Sequence, residues 1–335
     1  MVNIWFSAIL NRRVRKFIIH GSSHKDFSSQ PLFSCKSLVE LVLNISCYLR
    51  VPADVNLPNL ETLDLSGIRF TSNLNELVLS FPLLKKFECQ NCTWSNVQNV
   101  SLQVPALEVV VLKFGGSVYV ANTCTIKFCN SRLTDFSYDG STSQDYVLLN
   151  PPSDIHVFIN ILVPQYRLEE EEEKEISLRA CMLLKQFSQV EYLKLGQTKV
   201  FAKALGSLED FPAFMMLRHL ELGYVTGEML LELLLKSPNL TTLDIKGISE
   251  FETELLGSAF VPHCLSSTLE VVKLGMHKGH DFEFCVAKFV MEHALVLKRL
   301  SFSWYSHQLK CKTKRVKDKL FSFKKASNTA IIEFS

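Results

Sequence analysis

Residues 57–65 read Leu57-Pro-Asn-Leu-Glu-Thr-Leu-Asp-Leu65, and the frame inside them decides the fold. Leu60, Leu63 and Leu65 form an apolar-x-x-apolar-x-apolar pattern. Its last two apolar positions are two apart, so on a strand they face one side. The frame recurs upstream at Val14, Phe17, Ile19 and at Leu38, Leu41, Leu43. It continues at Leu84, Phe87, Cys89, at Leu107, Val110, Leu112 and at Leu133, Phe136, Tyr138. After a gap come Val190, Leu193, Leu195, then Leu217, Leu220, Leu222 and Leu240, Leu243, Ile245. The last two are Leu269, Val272, Leu274 and Leu297, Leu300, Phe302.

First positions are separated by 24, 22, 24, 23 and 26 residues from Val14 to Leu133, and by 27, 23, 29 and 28 from Val190 to Leu297. A leucine-rich repeat has a period of roughly 20–29 residues. The 57 residues between Leu133 and Val190 leave room for one degenerate repeat, near Ile155 to Ile161, plus an insertion. Each repeat supplies one short parallel strand whose inward face only stacked neighbours can bury. At roughly 1.5–3 kcal/mol per buried Leu-class side chain, the array is stable where one repeat is not. The expected fold is therefore an α/β leucine-rich-repeat solenoid, a horseshoe with short parallel strands and an irregular helical or loop outer face. The repeat region is expected over 1–257, with an irregular insertion at about 139–189.

Two return segments read as helices. Thr226 precedes Glu228-Met-Leu-Leu-Glu-Leu-Leu-Leu235, with Met229, Leu230, Leu233 and Leu234 on one face and Pro238 as the stop. Ser72 likewise precedes Leu74, Leu77 and Val78, with Pro82 beyond.

Composition narrows the function classes. The chain has 335 residues, 47% of them hydrophobic, and a formal charge of +2. That near balance argues against nucleic acid as the main partner. No apolar run reaches transmembrane length. The basic cluster Arg12, Arg13, Arg15, Lys16 follows the apolar start instead of preceding it, the reverse of a secretory signal. The chain is therefore expected to be intracellular, in nucleus or cytoplasm, with no membrane partner. Of ten cysteines, Cys89, Cys124, Cys129, Cys181 and Cys285 sit among apolar residues, where free thiols pack well. The glycosylation patterns at Asn44, Asn91, Asn99 and Asn239 then read as chance matches.

Several constellations invite chemistry. Cys89-Asn-Gln-Cys92 has redox or metal spacing, but no second ligand pair stands at suitable distance, and Cys89 is an inward repeat position. It reads as packing. His263, Cys264, His277, His280 and His293 cluster near the C-terminus; against zinc stands a solvated loop flanked by Gly275 and Gly279. The acidic run Glu169 to Glu173, with Glu175, could meet a basic partner, but it reads as an exposed helix start. Ile176, Leu178, Cys181, Met182 and Leu184 would pack that helix further on. Lys310, Lys312, Lys314, Arg315, Lys317 and Lys319 could bind nucleic acid, anionic lipid or an import receptor; the favoured reading is a charged loop shielding the terminal strand edge. No phosphate-binding Gly loop, G-x-S-x-G or H-E-x-x-H occurs. No enzyme, cofactor or metal site is expected.

The repeat phrases Leu57-Pro-Asn-Leu-Glu-Thr-Leu-Asp-Leu65, Phe81-Pro-Leu-Leu-Lys-Lys-Phe87 and Ser237-Pro-Asn-Leu-Thr-Thr-Leu-Asp-Ile245 resemble those of plant F-box/leucine-rich-repeat proteins. The segment from Trp5 to Phe17 resembles the point where that family's repeats begin. Leu265-Ser-Ser-Thr-Leu-Glu-Val-Val-Lys-Leu274, Phe289 to Leu300, Lys319 to Ser327 and Ile331 to Ser335 resemble its FBD module. The resemblance implies that 258–335 is an FBD-like C-terminal module closing the solenoid. It also implies a protein-interaction role like that of the substrate-recognition part of a Skp-cullin-F-box ubiquitin ligase adaptor.

Two departures stand out. No segment before Trp5 can hold an F-box, so a Skp-type linker is a partner only if an F-box lies upstream. The alternatives are an F-box-less binder, a competitor of full-length relatives, or a truncated product. Second, the position after each strand reads Ser46, Ile68, Cys92, Gly115, Thr198 and Val225 instead of an Asn ladder, which predicts irregular curvature. The x positions of the frame should form a concave face for a target protein. Its candidate residues are Glu61, Thr62, Asp64, Lys85, Lys86, Glu88, Arg218, His219, Glu221, Thr241, Thr242 and Asp244.

Overall fold

The computed structural model describes residues 7–21, 29–115, 124–129, 132–142, 144–163, 169–201, 211–250, 261–276, 280–304 and 313–334. The chain forms two units, residues 1–155 with 162–172, and residues 156–161 with 173–335.

The first unit is built from two parallel sheets. One comprises β1 (Lys16–His20), β2 (Glu40–Arg50), β4 (Thr62–Thr71), β6 (Lys86–Gln90), β9 (Val109–Phe114) and β11 (Asp135–Gly140), in that order. A short strand, β7 (Thr93–Ser95), extends it beside β4. The second sheet runs β12 (Asp145–Leu148), β10 (Thr125–Cys129), β8 (Asn99–Gln103), β5 (Glu76–Ser80), β3 (Asp54–Asn56). A helical turn at residues 7–10 and a short helix, α1 (Gln30–Ser34), are described in this unit. The frame residues face inward: Leu41, Leu43, Leu63, Leu65, Phe87, Cys89, Val110, Leu112, Phe136 and Tyr138 are all buried. Facing them from the second sheet are Leu77, Leu79, Val100, Leu102, Ile126 and Phe128.

That second sheet corrects one expectation. The segment after Ser72 is strand β5, not a helix. Its burial alternates, with Leu77 and Leu79 inside and Val78 57% exposed. A period of two is strand geometry. Ser72 closes a local turn instead of starting a helix: its hydroxyl oxygen accepts from the Leu74 N–H and its own proton goes to the Val51 carbonyl.

The second unit pairs a parallel sheet with helices. Its strand order is β13 (His156–Ile161), β14 (Tyr192–Gln197), β15 (His219–Thr226), β16 (Thr242–Glu250), β17 (Val271–Met276), β18 (Arg299–Trp304), β19 (Ile331–Phe334). The returns carry α2 (Glu170–Lys185), α3 (Gly227–Leu235), α4 (His263–Ser267), α5 (Asp281–His293) and α6 (Thr313–Phe321). Helix α3 forms as expected. The Met229 N–H bonds the Thr226 hydroxyl at 3.4 Å, and Met229, Leu230, Leu233 and Leu234 are buried. Thr226→Ala is expected to cost about 1 kcal/mol. A shift in the urea midpoint at unchanged slope would measure it.

Helix α2 buries Ile176, Ala180, Cys181, Leu183 and Leu184. Leu178 and Met182, expected inside, are 45% and 59% exposed, because they lie off the face that carries the buried residues. The basic tail is a helix where described, not a loop. Val316 and Leu320, one turn apart, are its buried anchors. Lys319 pairs with Asp281 at 3.0 Å and lies 4.0 Å from the Phe284 ring centre. Lys310 and Lys312 fall outside the described residues.

In both units the repeats are joined by one recurrent motif. At most joints a carbonyl just before one strand accepts two N–H groups from the start of the next strand. Val39 and Glu40 donate to Arg15, Glu61 and Thr62 to Val39, Lys85 and Lys86 to Glu61, and Glu108 and Val109 to Lys85. In the second unit Arg218 and His219 donate to Glu191, Thr241 and Thr242 to Arg218, and Glu270 and Val271 to Thr241. The Pro-Asn phrases add a side-chain version of this motif: Asn59 and Asn239 each donate at 2.8 Å, to the carbonyls of Lys36 and Met215. At strand exits, where an Asn ladder is missing, Cys92 bonds the Leu65 carbonyl and Thr198 bonds the Tyr224 carbonyl. Short side chains of several kinds therefore satisfy the turns.

Candidate functional site

The side of each sheet opposite its core is built from the x positions of the frame. In the first unit the register aligns Glu40, Thr62, Lys86 and Val109 in one row, and Val42, Asp64, Glu88 and Val111 in the next. Ion pairs bridge the rows. Lys16 meets Glu40 at 2.8 Å, Lys85 meets Glu61 at 2.8 Å, and Glu88 takes Lys86 at 3.0 Å and Lys113 at 3.2 Å. The Lys85 bond holds the Glu61 carboxyl below its usual range and raises Lys85 in turn. Burial works against ionising Glu88, but the bonds from Lys86 and Lys113 prevail and lower it. Asp64 is raised, by burial first and by the Glu88 charge second. All six residues named for this part of the face thus lie together, on or just before the adjoining strands β4 and β6.

In the second unit the rows are His156, Tyr192, His219, Thr242, Val271, and Phe158, Lys194, Glu221, Asp244, Lys273. Glu221 is the hub. Lys194 reaches it at 2.6 Å and Lys246 at 3.1 Å, and the Tyr192 hydroxyl donates at 3.1 Å. Burial opposes its charge, and these three donors lower it nonetheless. Burial raises Tyr192, and the neighbouring Glu221 raises it further. Lys273 pairs with Asp244 at 3.5 Å. Along the first row three rings follow one another: His156 to Tyr192 at 5.1 Å and Tyr192 to His219 at 6.3 Å between centres. Lys194 lies 5.7 Å from the Phe158 ring centre.

The sequence-named residues Arg218, His219, Glu221, Thr241, Thr242 and Asp244 are all on or beside these strands. Thr241 is turned to its neighbour: its hydroxyl bonds the Arg218 carbonyl at 2.9 Å. The aromatic half of the face, His156, Phe158 and Tyr192, was not named. Tyr192 and Lys194 occupy x positions of the Val190, Leu193, Leu195 frame, so the pattern could have found them. His156 and Phe158 lie in the degenerate repeat, whose frame is too eroded to assign a face.

The other constellations resolve as packing. Cys89 and Cys92 are buried, and the Cys92 thiol and burial together raise Cys89 well above its normal value. Burial pushes Cys124 up to about 12 and Cys264 up to about 11. Cys181 is also buried, while Cys129 and Cys285 are half-buried. His280 begins helix α5, not a free loop: Glu283 accepts from its backbone N–H at 3.2 Å. His293 closes the same helix, and His263 opens α4. His277 and Gly279 lie outside the described residues. Among the described residues, no group of three or more His, Cys, Asp or Glu could hold a metal ion, and no helix is long and apolar enough to cross a membrane.

The FBD family model matches residues 258–302. This stretch holds α4, β17, α5 and most of β18, a helix–strand–helix–strand unit of the second sheet. An F-box/FBD/LRR-repeat protein of Arabidopsis thaliana is 26% identical, over 98% of this chain and 73% of its own length. A putative FBD-associated F-box protein of the same plant is 25% identical over 90% of this chain and 71% of its own. A second FBD-associated F-box protein is 23% identical over 89% and 69%. With a leucine-rich-repeat frame, parallel repeat strands and an FBD match at its C-terminal end, the chain is related along most of its length to the plant F-box/FBD/LRR-repeat proteins.

Proposed function

We propose that this chain captures a protein, through the outward strand faces described above, and that it performs no catalysis. The observation that carries this reading is the ring row His156, Tyr192, His219 set beside Lys194, Glu221, Asp244 and Lys246. Aromatic anchors bordered by polar and charged groups are what a protein interface uses. The acid–base pairs on each face are mutually satisfied and half-exposed, so a partner can exchange them at modest desolvation cost. The relatives' names, an F-box/FBD/LRR-repeat protein and an FBD-associated F-box protein, support extending this reading to an F-box context. The captured protein would then be presented to a ubiquitin ligase through a Skp-type linker bound to an F-box. Both steps would take place inside the cell, in nucleus or cytoplasm. The FBD-like part, 258–335, is read as continuing the solenoid past the repeat region of 1–257.

Four exposed or half-exposed cations on these faces provide the test: Lys85→Glu, Lys86→Glu, Arg218→Glu and Lys246→Glu combined. Proteins co-purifying with the tagged wild-type chain from plant tissue are compared with those retained by the variant. Loss of about tenfold or more in a defined partner, with the melting temperature nearly unchanged, is expected. Equal retention would refute capture through these faces. A Skp-type linker among the partners of the full gene product would separate delivery to a ligase from capture alone.

A further inference from the structure

Beyond the strand faces, a cavity of about 300 Å³ opens beside the middle of β2 and β4, near the ends of β1 and β6, in the first unit. Its origin is a break in register. Asn44 pairs with Ser66 and Cys47 with Ile68, so Ile45 and Ser46 stand opposite the single residue Gly67. Gly67 takes a left-handed φ of +75°, and Asn91, after β6, one of +51°. Such a bulge turns the strand and re-aims the side chains that follow it. Here it brings Tyr48 and Arg69 outward to the cavity wall.

The wall is polar and carries one sign of charge. Among the described residues, Arg69 is its sole ionisable side chain apart from the Cys47 thiol and the Tyr48 hydroxyl, and no described carboxylate lines it. The guanidinium donates to the Tyr48 hydroxyl at 2.8 Å and lies 5.4 Å from that ring's centre. It forms no ion pair among the described residues, whereas each of the face lysines 16, 85, 86, 113, 194, 246 and 273 has a carboxylate. A guanidinium has five N–H donors, and the Tyr48 bond leaves most of them unused. Ser46, Ser66 and Asn44 add hydroxyl and amide groups around it. Asn91 is anchored through its carbonyl by the Gly115 N–H at 2.8 Å, which leaves its amide nitrogen as a further donor. The volume lies at the lower end of the roughly 300–1,000 Å³ of small-molecule sites.

We propose that this cavity binds a small organic anion, with Arg69 as the fork that takes its carboxylate or phosphate and Tyr48 holding that fork in place. A planar, rigid fork suits either oxyanion. Gly67 keeps the floor open, since a methyl there would come within 3.2 Å of the Ser46 hydroxyl.

Benzoate and phenyl phosphate serve as probes, with benzamide as the neutral counterpart, titrated calorimetrically into the purified full chain. Saturable one-to-one binding of at least one anion is expected, with benzamide weaker by about tenfold or more. Arg69→Gln should weaken the anion by a similar factor while leaving the melting temperature unchanged, because Arg69 is exposed. Tyr48→Phe should weaken it by a smaller factor. The stronger of the two anions identifies the head group. The four-cation variant of the strand faces should bind the probe as the wild type does, which keeps this site separate from protein capture. Absence of saturable binding by both anions, or equal affinity in Arg69→Gln, overturns the proposal.

Discussion

Replacing Phe128 by alanine is expected to destabilise the first unit by about 3–5 kcal/mol. Phe128 is fully buried on β10, in the sheet that faces the repeat strands. Its ring meets Phe87 of β6 edge-on at 5.6 Å and lies 6.4 Å from Tyr146 of β12. It therefore joins the two sheets of that unit. The neighbouring core, lined by Phe87, Leu102 and Ile126 among others, already encloses an apolar void of about 50 Å³. Alanine would enlarge the empty space beside residues that cannot close it, which places the loss in the upper part of the range. Urea unfolding followed by two probes would show the first unit's transition moving while the second unit's stays. Val78→Ala, on the exposed side of the same sheet, should change stability by no more than about 0.5 kcal/mol. A loss below about 1.5 kcal/mol for Phe128→Ala would mean that the sheets are not held through this ring.

The second large effect is expected at a residue without a side chain. Gly196 and Gly223 lie between the registered pairs Leu195–Leu222 and Gln197–Tyr224 of β14 and β15. A methyl on Gly223 would overlap the Gly196 carbonyl, oxygen and carbon alike. These are ladder atoms, so relief requires moving the strands apart. Gly223→Ala should therefore cost about 3 kcal/mol, the upper end for an overpacked site. Gly196→Ala should cost somewhat less, because its added methyl meets side-chain atoms of Asn160 and no backbone, though the Asn160 Cβ at 2.7 Å must also give way. Gly115 is the control: its methyl would meet nothing closer than 3.8 Å among the described residues, and Gly115→Ala should be nearly neutral. Chemical denaturation of the three variants gives the order directly, and a neutral Gly223→Ala would refute the close approach.

Much of this architecture is legible in the repeat frame. Each triplet from Val14, Phe17, Ile19 to Leu297, Leu300, Phe302 marks a strand, because two inward residues at period two are enough to fix its face. What lies between the triplets was harder to read. Ser72 to Pro82 looks like a capped helix, since Leu74, Leu77 and Val78 fit helical spacing as well as Leu77 and Leu79 fit a strand. Five residues are too few for periodicity to separate the two. The partner strands β3, β5, β8 and β10 are settled by their pairing with one another, which no local pattern displays. On the face, the frame marks the charged x positions wherever it is regular. It does not mark the rings of His156 and Phe158, because the repeat that carries them has lost its Leu signature. The cavity at Arg69 was invisible for another reason: it arises from a bulge, and a register shift of one residue leaves no trace in composition.

The doubled bond at each strand start bears on how such a chain can diversify. One carbonyl, receiving two N–H groups, fixes each repeat against the one before it. The return segment beyond that point is free to vary in length. Registered partners are 22 residues apart between β2 and β4, at Glu40 and Thr62, and 29 apart between β16 and β17, at Thr242 and Val271. Insertions and deletions in the returns therefore leave the spacing of the strand faces untouched. Gene duplication and unequal recombination can add, remove or exchange whole repeats at that joint. A lineage can thus rewrite what it recognises, one rung at a time, without having to invent a new core.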